Sequence, residues 1–264
     1  MWAALVLAAC GDKGGDDTAA LPDGGAGTDG GAADRGAADG GGDGGAGDGG
    51  GGDGGAGDGG ASAGPCPSYL GLGAVGSLRH YRTTAAYEAL SGASGTWTMT
   101  TVQADAEPVL DYASTWHDST GGVSTTTATY RYSCDDSGAS LTSYDMRSTY
   151  SGSTSFSSKM SATYTDPSRG MVPDLAPGST WTDTWAYTAT GSTSSSGAYT
   201  TDGSGSTRYT AGSATSVTVP AGTYSVLPLT MVTTVSGGSS STIAHMGDGV
   251  GMVASDSGEL VSVE

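Results

Sequence analysis

Ala128-Thr-Tyr-Arg-Tyr-Ser-Cys134 decides how the larger part of this chain folds. Ala128, Tyr130, Tyr132 and Cys134 fall on one face of an extended strand, and Thr129, Arg131 and Ser133 on the other. Alternation with period two is the signature of a half-buried strand. Thr and Tyr also favour a pleated surface over a helix. The same pattern recurs down the chain. Trp181, Trp185, Tyr187 and Ala189 share a face, as do Leu227, Leu229, Met231, Thr233 and Val235.

Turn residues punctuate these runs at Ser91-Gly92, Gly121-Gly122, Ser137-Gly138, Ser151-Gly152, Gly191, Gly237-Gly238 and Ser257-Gly258. No stretch sustains a helical period. The expected fold is therefore all-β and mainly antiparallel, with ten to twelve strands joined by short turns. A sheet of that size is expected to curl into a half-open, barrel-like shape, because closure removes exposed edges. Thr83 to Ser91, with Ala85, Ala86, Tyr87, Ala89 and Leu90, offers the one alternative, a short helix.

This β-rich domain is assigned to residues 65–264. Upstream the texture is different. Residues 11–64 hold 25 of the 48 glycines, eleven Asp, one Lys, one Arg and no aromatic residue. Such a segment buries too little apolar surface to offset its conformational entropy, so a disordered tether is expected. Residues 41–50 and 51–60 are the same decapeptide, Gly-Gly-Asp-Gly-Gly-Ala-Gly-Asp-Gly-Gly. Calcium-binding β-rolls need a large apolar residue in each repeat, and here each unit offers only Ala. As a flexible coil the tether would span roughly 40 Å.

Residues 1–10 form a short apolar run that ends in Leu7-Ala8-Ala9-Cys10. This ending resembles a bacterial lipobox, which implies a lipidated Cys10 at the head of the mature protein. The run is short for a signal peptide and lacks a basic leading segment, so the true start is expected upstream of Met1. Gly11 after the Cys, where inner-membrane retention uses Asp, implies the outer membrane. With Cys10 given to lipid, Cys66 and Cys134 remain, and in an oxidising compartment two such thiols pair.

The formal charge of −18 is shared about equally between tether and domain. Neither part is basic, which argues against nucleic acid and anionic lipid surfaces as partners. Asn is absent, so there is no N-glycosylation sequon.

Three further stretches resemble a recurrent pattern of uncharacterised bacterial envelope proteins: Pro173-Asp-Leu-Ala-Pro-Gly-Ser-Thr-Trp181, Val217-Thr-Val-Pro-Ala-Gly-Thr-Tyr224 and Gly247-Asp-Gly-Val-Gly-Met-Val253. Such domains resemble the LolA/LolB-like lipoprotein-carrier fold, which implies a curled antiparallel sheet around an apolar cavity. The match lies in turns and strand starts and transfers no set of binding residues. Read by itself, Pro220-Ala-Gly222 makes a turn between Val217–Val219 and Tyr224–Val235.

Catalytic motifs are absent. Gly71-Leu-Gly73-Ala-Val-Gly76 has the letters of a dinucleotide fingerprint without its strand and helix, and reads as a loop into a strand at 78–84. There is no nucleophile elbow, Walker A loop or zinc-protease motif. His80, His117 and His245 are far apart in sequence. Trp116-His117-Asp118 is the densest polar-aromatic spot and reads as a strand end beside a turn, while Trp97, Trp116, Trp181 and Trp185 read as core. No catalytic, cofactor-binding or metal-ligating set emerges, and no cofactor is expected. The expected function is a non-enzymatic cell-envelope lipoprotein, monomeric and held to the membrane by its anchor, binding an apolar ligand or envelope component. A tethered adhesion or structural module and a hydrolase with an unrecognised site are the alternatives.

Overall fold

The computed structural model describes residues 66–264; Cys10 and the tether assigned to 11–64 lie outside the described residues. The described chain runs β1 (Leu78–Thr83), α1 (Ala85–Ser91), β2 (Ser94–Gln103), β3 (Val109–His117), β4 (Val123–Asp135), β5 (Gly138–Ser151), β6 (Ser155–Met171), β7 (Thr180–Thr193), β8 (Gly197–Ala211), β9 (Thr215–Val219), β10 (Gly222–Val235), β11 (Gly238–Gly247), β12 (Gly251–Ser255) and β13 (Gly258–Val263). All pairings are antiparallel.

The curl expected from sequence closes completely. Strands β1 to β8 pair in order. The upper part of β10, from Leu229 to Val235, pairs with β8, and β11, β12 and β13 lead back to β1. Twelve strands form the barrel wall. The thirteenth, β9, pairs only with the start of β10, from Gly222 to Val226. Chain entry and chain end lie together at what we term the lower end, where Leu78 and Glu264 exchange backbone hydrogen bonds.

The turns anticipated from sequence sit between strands, with one correction. Gly191 lies inside β7, opposite Tyr199. Its missing side chain serves packing, since an added Cβ would fall 2.6 Å from the Tyr199 ring. The helical alternative for 83–91 is realised as α1. The Thr84 hydroxyl caps its first turn by accepting from the Tyr87 N–H at 3.2 Å, and Gly92 ends it in the left-handed conformation.

Aromatic side chains fill the barrel. On successive strands Tyr112, Tyr130, Tyr144, Tyr164 and Tyr187 meet edge-on or tilted, with centroids 5.5–6.5 Å apart. Trp97 stacks between Tyr81 and Trp116 at 5.4 and 5.7 Å. Glycines on neighbouring strands make room for rings: Gly258 beneath Trp97, Gly95 beneath Trp116, and Gly205 beneath Trp185. Bare glycine backbone in a strand is thus covered by a neighbour's ring, which recovers lost packing.

The lower end is plugged. Leu70, in a 3-10 turn (Ser68–Leu70), and Leu175, in the β6–β7 connection, are both buried. Arg79 points inward and is 3% exposed. Its guanidinium donates to the Gly71 carbonyl and, at 3.4 Å, to that of Val250, which ties the entry segment to the β11–β12 turn. Cys66 is bridged to Cys134 at the lower end of β4, with a Cα separation of 5.0 Å. The bond fixes the first described residue to the lower end of β4.

Candidate functional site

Tyr81, Tyr209, Leu110, Leu141, Leu229 and Leu260 come from strands all around the barrel, and none is more than 2% exposed. A water-sized sphere cannot touch them, so the barrel is solid at their level. A lumen running the full length of the barrel would have to pass through these side chains.

The outer wall carries a groove of about 550 Å3 across β2 to β6. Its depth follows from strand length. β4, β5 and β6 have 13, 14 and 17 residues, and a long twisted sheet bends into a saddle. The register sets two rows of outward side chains across it. One row runs Thr98, Ala113, Thr127, Arg147, Lys159, and the next runs Thr100, Asp111, Thr129, Asp145, Ser161.

The second row is self-satisfied. Asp111 accepts from the Thr129 hydroxyl at 2.7 Å. Asp145 accepts from Ser161 at 2.6 Å and from the Arg131 guanidinium at 2.7 Å. These hydrogen bonds, first from Ser161 and then from Arg131, hold the Asp145 carboxyl below its ordinary pKa. The first row is not satisfied in this way. Arg147 and Lys159 face each other directly, and no carboxylate of the described residues lies within 4 Å of either. The groove therefore presents hydroxyls and two cations, unpaired among the described residues, in one row and the hydrogen-bonded Asp111 and Asp145 carboxylates in the next, above a floor of strand backbone.

A second irregularity opens the wall between β6 and β7, whose ladder stops at Asp166–Ala186. Below it β6 continues on β5 and β7 on β8. Asp183 spans the gap and accepts from the Ser168 hydroxyl at 3.0 Å. Burial raises its pKa above the usual carboxylate value. Trp181, stacked on Tyr209 at 4.7 Å, also crosses the gap, and its indole N–H reaches the Arg169 carbonyl at 3.5 Å. Side chains here replace missing ladder bonds, so Asp183 is committed to joining the strands.

The histidines do not converge. His80 lies on the outer face of β1, 3.5 Å from Glu264; His117 is exposed at the end of β3; His245 is half-buried on β11. Burial lowers the His245 pKa, against the pull of Asp256. Asp118 builds a turn, accepting from the Thr120 and Gly122 N–H groups and from the Tyr150 hydroxyl. Among the described residues no three of His, Cys, Asp and Glu gather as metal ligands would. Gly71 to Gly76 is a loop leading into β1. Trp97 is core, whereas Trp116, Trp181 and Trp185 are half-buried.

Sequence reading missed the groove because it depends on register across five strands. One part was accessible. Arg147 and Lys159 lie six residues either side of Ser153, the centre of the β5–β6 turn. A hairpin centred on Ser153 sets them opposite, whereas one centred on Ser151-Gly152 would pair Arg147 with Phe156.

Compared with known proteins, the chain matches no family model, no curated protein and no solved structure.

Proposed function

We propose that this chain is a non-enzymatic lipoprotein of the cell envelope, anchored through Cys10, that binds an envelope component on the outside of its barrel. One observation carries the placement: side chains from all around the wall close the interior at the level of Tyr81, Tyr209 and Leu110, while the outer wall holds an open polar groove. The apolar-ligand version of the expectation, drawn from the resemblance to lipoprotein carriers, needs a lumen and is weakened by that packing. Outer-membrane localisation and a monomeric state belong to the same proposal.

Two measurements test it. Mass spectrometry of the membrane-fraction protein should find lipid on Cys10, and an unmodified, soluble Cys10 would remove the anchor. Binding of isolated envelope polysaccharide should be lost in Thr127→Trp, which fills the groove from its middle strand. Equal binding by wild type and variant would remove the groove.

A further inference from the structure

We infer that the groove selects an anionic polysaccharide, with a carboxylate or phosphate group seated between Arg147 and Lys159. The inference rests on the groove being the binding face and adds the chemistry of what it takes.

Residues 66–264 contain seven Lys and Arg against sixteen Asp and Glu. In so acidic a domain each cation has a choice of partners, and three have settled fates. Arg79 is buried at the lower plug, Arg82 pairs with Glu259 at 2.8 Å, and Arg131 pairs with Asp145 at 2.7 Å. Arg147 and Lys159 are instead set directly against each other on adjacent strands. Cross-strand neighbours have Cβ atoms about 5 Å apart, and like charges in that position destabilise the sheet. Nearby carboxylates do not relieve them. Asp111 and Asp145 are one row away; Ser161 and Arg131 occupy both Asp145 oxygens, and Thr129 holds one oxygen of Asp111.

A bound anion would relieve this repulsion. The guanidinium presents a planar fork that matches a carboxylate or phosphate with two hydrogen bonds, and the ammonium adds a compact charge beside it. Beside the pair stand Thr127, next to Arg147 in the same row, and Ser161, two residues beyond Lys159, whose hydroxyls can donate or accept. That mixture suits a chain rich in hydroxyls that carries a repeated acidic group. The groove is open and crosses five strands, so a polymer can lie along it without threading.

The test uses the full-length chain and three polymers with one backbone: dextran, carboxymethyl dextran and dextran phosphate. Affinity is measured by calorimetry at several salt concentrations for the wild type, Arg147→Met/Lys159→Met and Arg208→Met. Thermal melts confirm that each is folded. Arg208 is an exposed cation on β8 outside the groove and serves as control. The wild type should bind one or both charged polymers at least tenfold more tightly than dextran. The double variant should lose at least tenfold, and its affinity should fall less steeply with salt than that of the wild type, because an ionic contact to the polymer has been removed. Arg208→Met should match the wild type.

Charged polymers held no better than dextran, or a double variant that binds like the wild type, would overturn the inference. Dextran bound equally well and lost in Thr127→Trp would overturn the anion while leaving the groove as the binding face. No binding of any polymer, with Thr127→Trp silent on envelope polysaccharide as well, would remove both. Charged-polymer binding that appears only after deletion of residues 11–64 would make the acidic tether the occupant and overturn the inference too.

Discussion

Replacing Gly258 by Ala adds one methyl group at the place where the barrel has least room for it. The new Cβ would lie 1.9 Å from Cη2 of Trp97, 2.7 Å from Cζ2 and 3.0 Å from the Arg82 carbonyl oxygen. Carbon atoms in contact rest at about 3.5–4.0 Å, so ring and strand must separate by about 1.5 Å or more. Trp97 has nowhere to go. It is 4% exposed and stacked on both sides by Tyr81 and Trp116. Overpacking of this kind costs about 1–3 kcal/mol, and the trapped ring puts the cost at the upper end. Loss of backbone freedom in the unfolded chain returns about 0.4–1 kcal/mol. The net loss is about 2 kcal/mol. For a domain near 200 residues that lowers Tm by about 4–8 °C. Differential scanning calorimetry of wild type, Gly258→Ala and Gly237→Ala provides the comparison. Gly237 has no atom within 4 Å of an added Cβ, and its variant should stay within about 0.5 kcal/mol of wild type. Trp97→Phe should absorb much of the Gly258→Ala cost, giving a clear interaction energy in a double-mutant cycle. A Gly258→Ala protein as stable as wild type would refute the packing described for this wall.

Three other outcomes follow from the same structure. Cys66→Ser/Cys134→Ser opens a loop closed over a separation of 68 residues and should cost about 4 kcal/mol in the chain-entropy model, read from denaturant titration of the oxidised protein and the variant. Asp183 has a folded pKa raised by burial, so its contribution favours the folded state at low pH and falls as pH rises from about 3.8 through the raised value. Asp183→Asn should flatten that part of the stability-pH curve and stabilise the protein at neutral pH, and an unchanged curve would show that Asp183 is not buried in the gap. Arg79→Ala removes the clamp on the Gly71 and Val250 carbonyls and leaves a cavity, so it should cost about 3 kcal/mol by chemical denaturation.

Much of the fold was legible because strands declare themselves by alternation and turns by composition. Ala128, Tyr130, Tyr132 and Cys134 are all buried, as the period-two reading of that run requires. Pro220-Ala-Gly222 does turn the chain from β9 into β10. The disulfide partners could be named because only two cysteines remained once Cys10 was assigned to lipid. Gly191 misled because a glycine that ends a strand and one that lies beneath a ring look alike in one dimension. Closure was also beyond local reading. It depends on β10 leaving β9 after Val226 and joining β8 from Leu229, and nothing in the run Val226-Leu-Pro-Leu229 states that change of neighbour. The groove has the same origin, since its two rows exist only once five strands are in register. Sequence gave the charges of Arg147 and Lys159 but not the absence of a carboxylate between them.

We propose that the ligand meets the outer wall of β2 to β6 and not the interior. Photo-crosslinking in intact cells tests it most directly, with a benzophenone side chain placed in turn at Thr127 in the groove, Val232 on the opposite outer wall, and Tyr199 on the inward face near the upper end. Crosslinking to envelope polysaccharide from Thr127 alone is the predicted result. Crosslinking from Tyr199 with none from Thr127 would place the ligand inside the barrel and contradict the account.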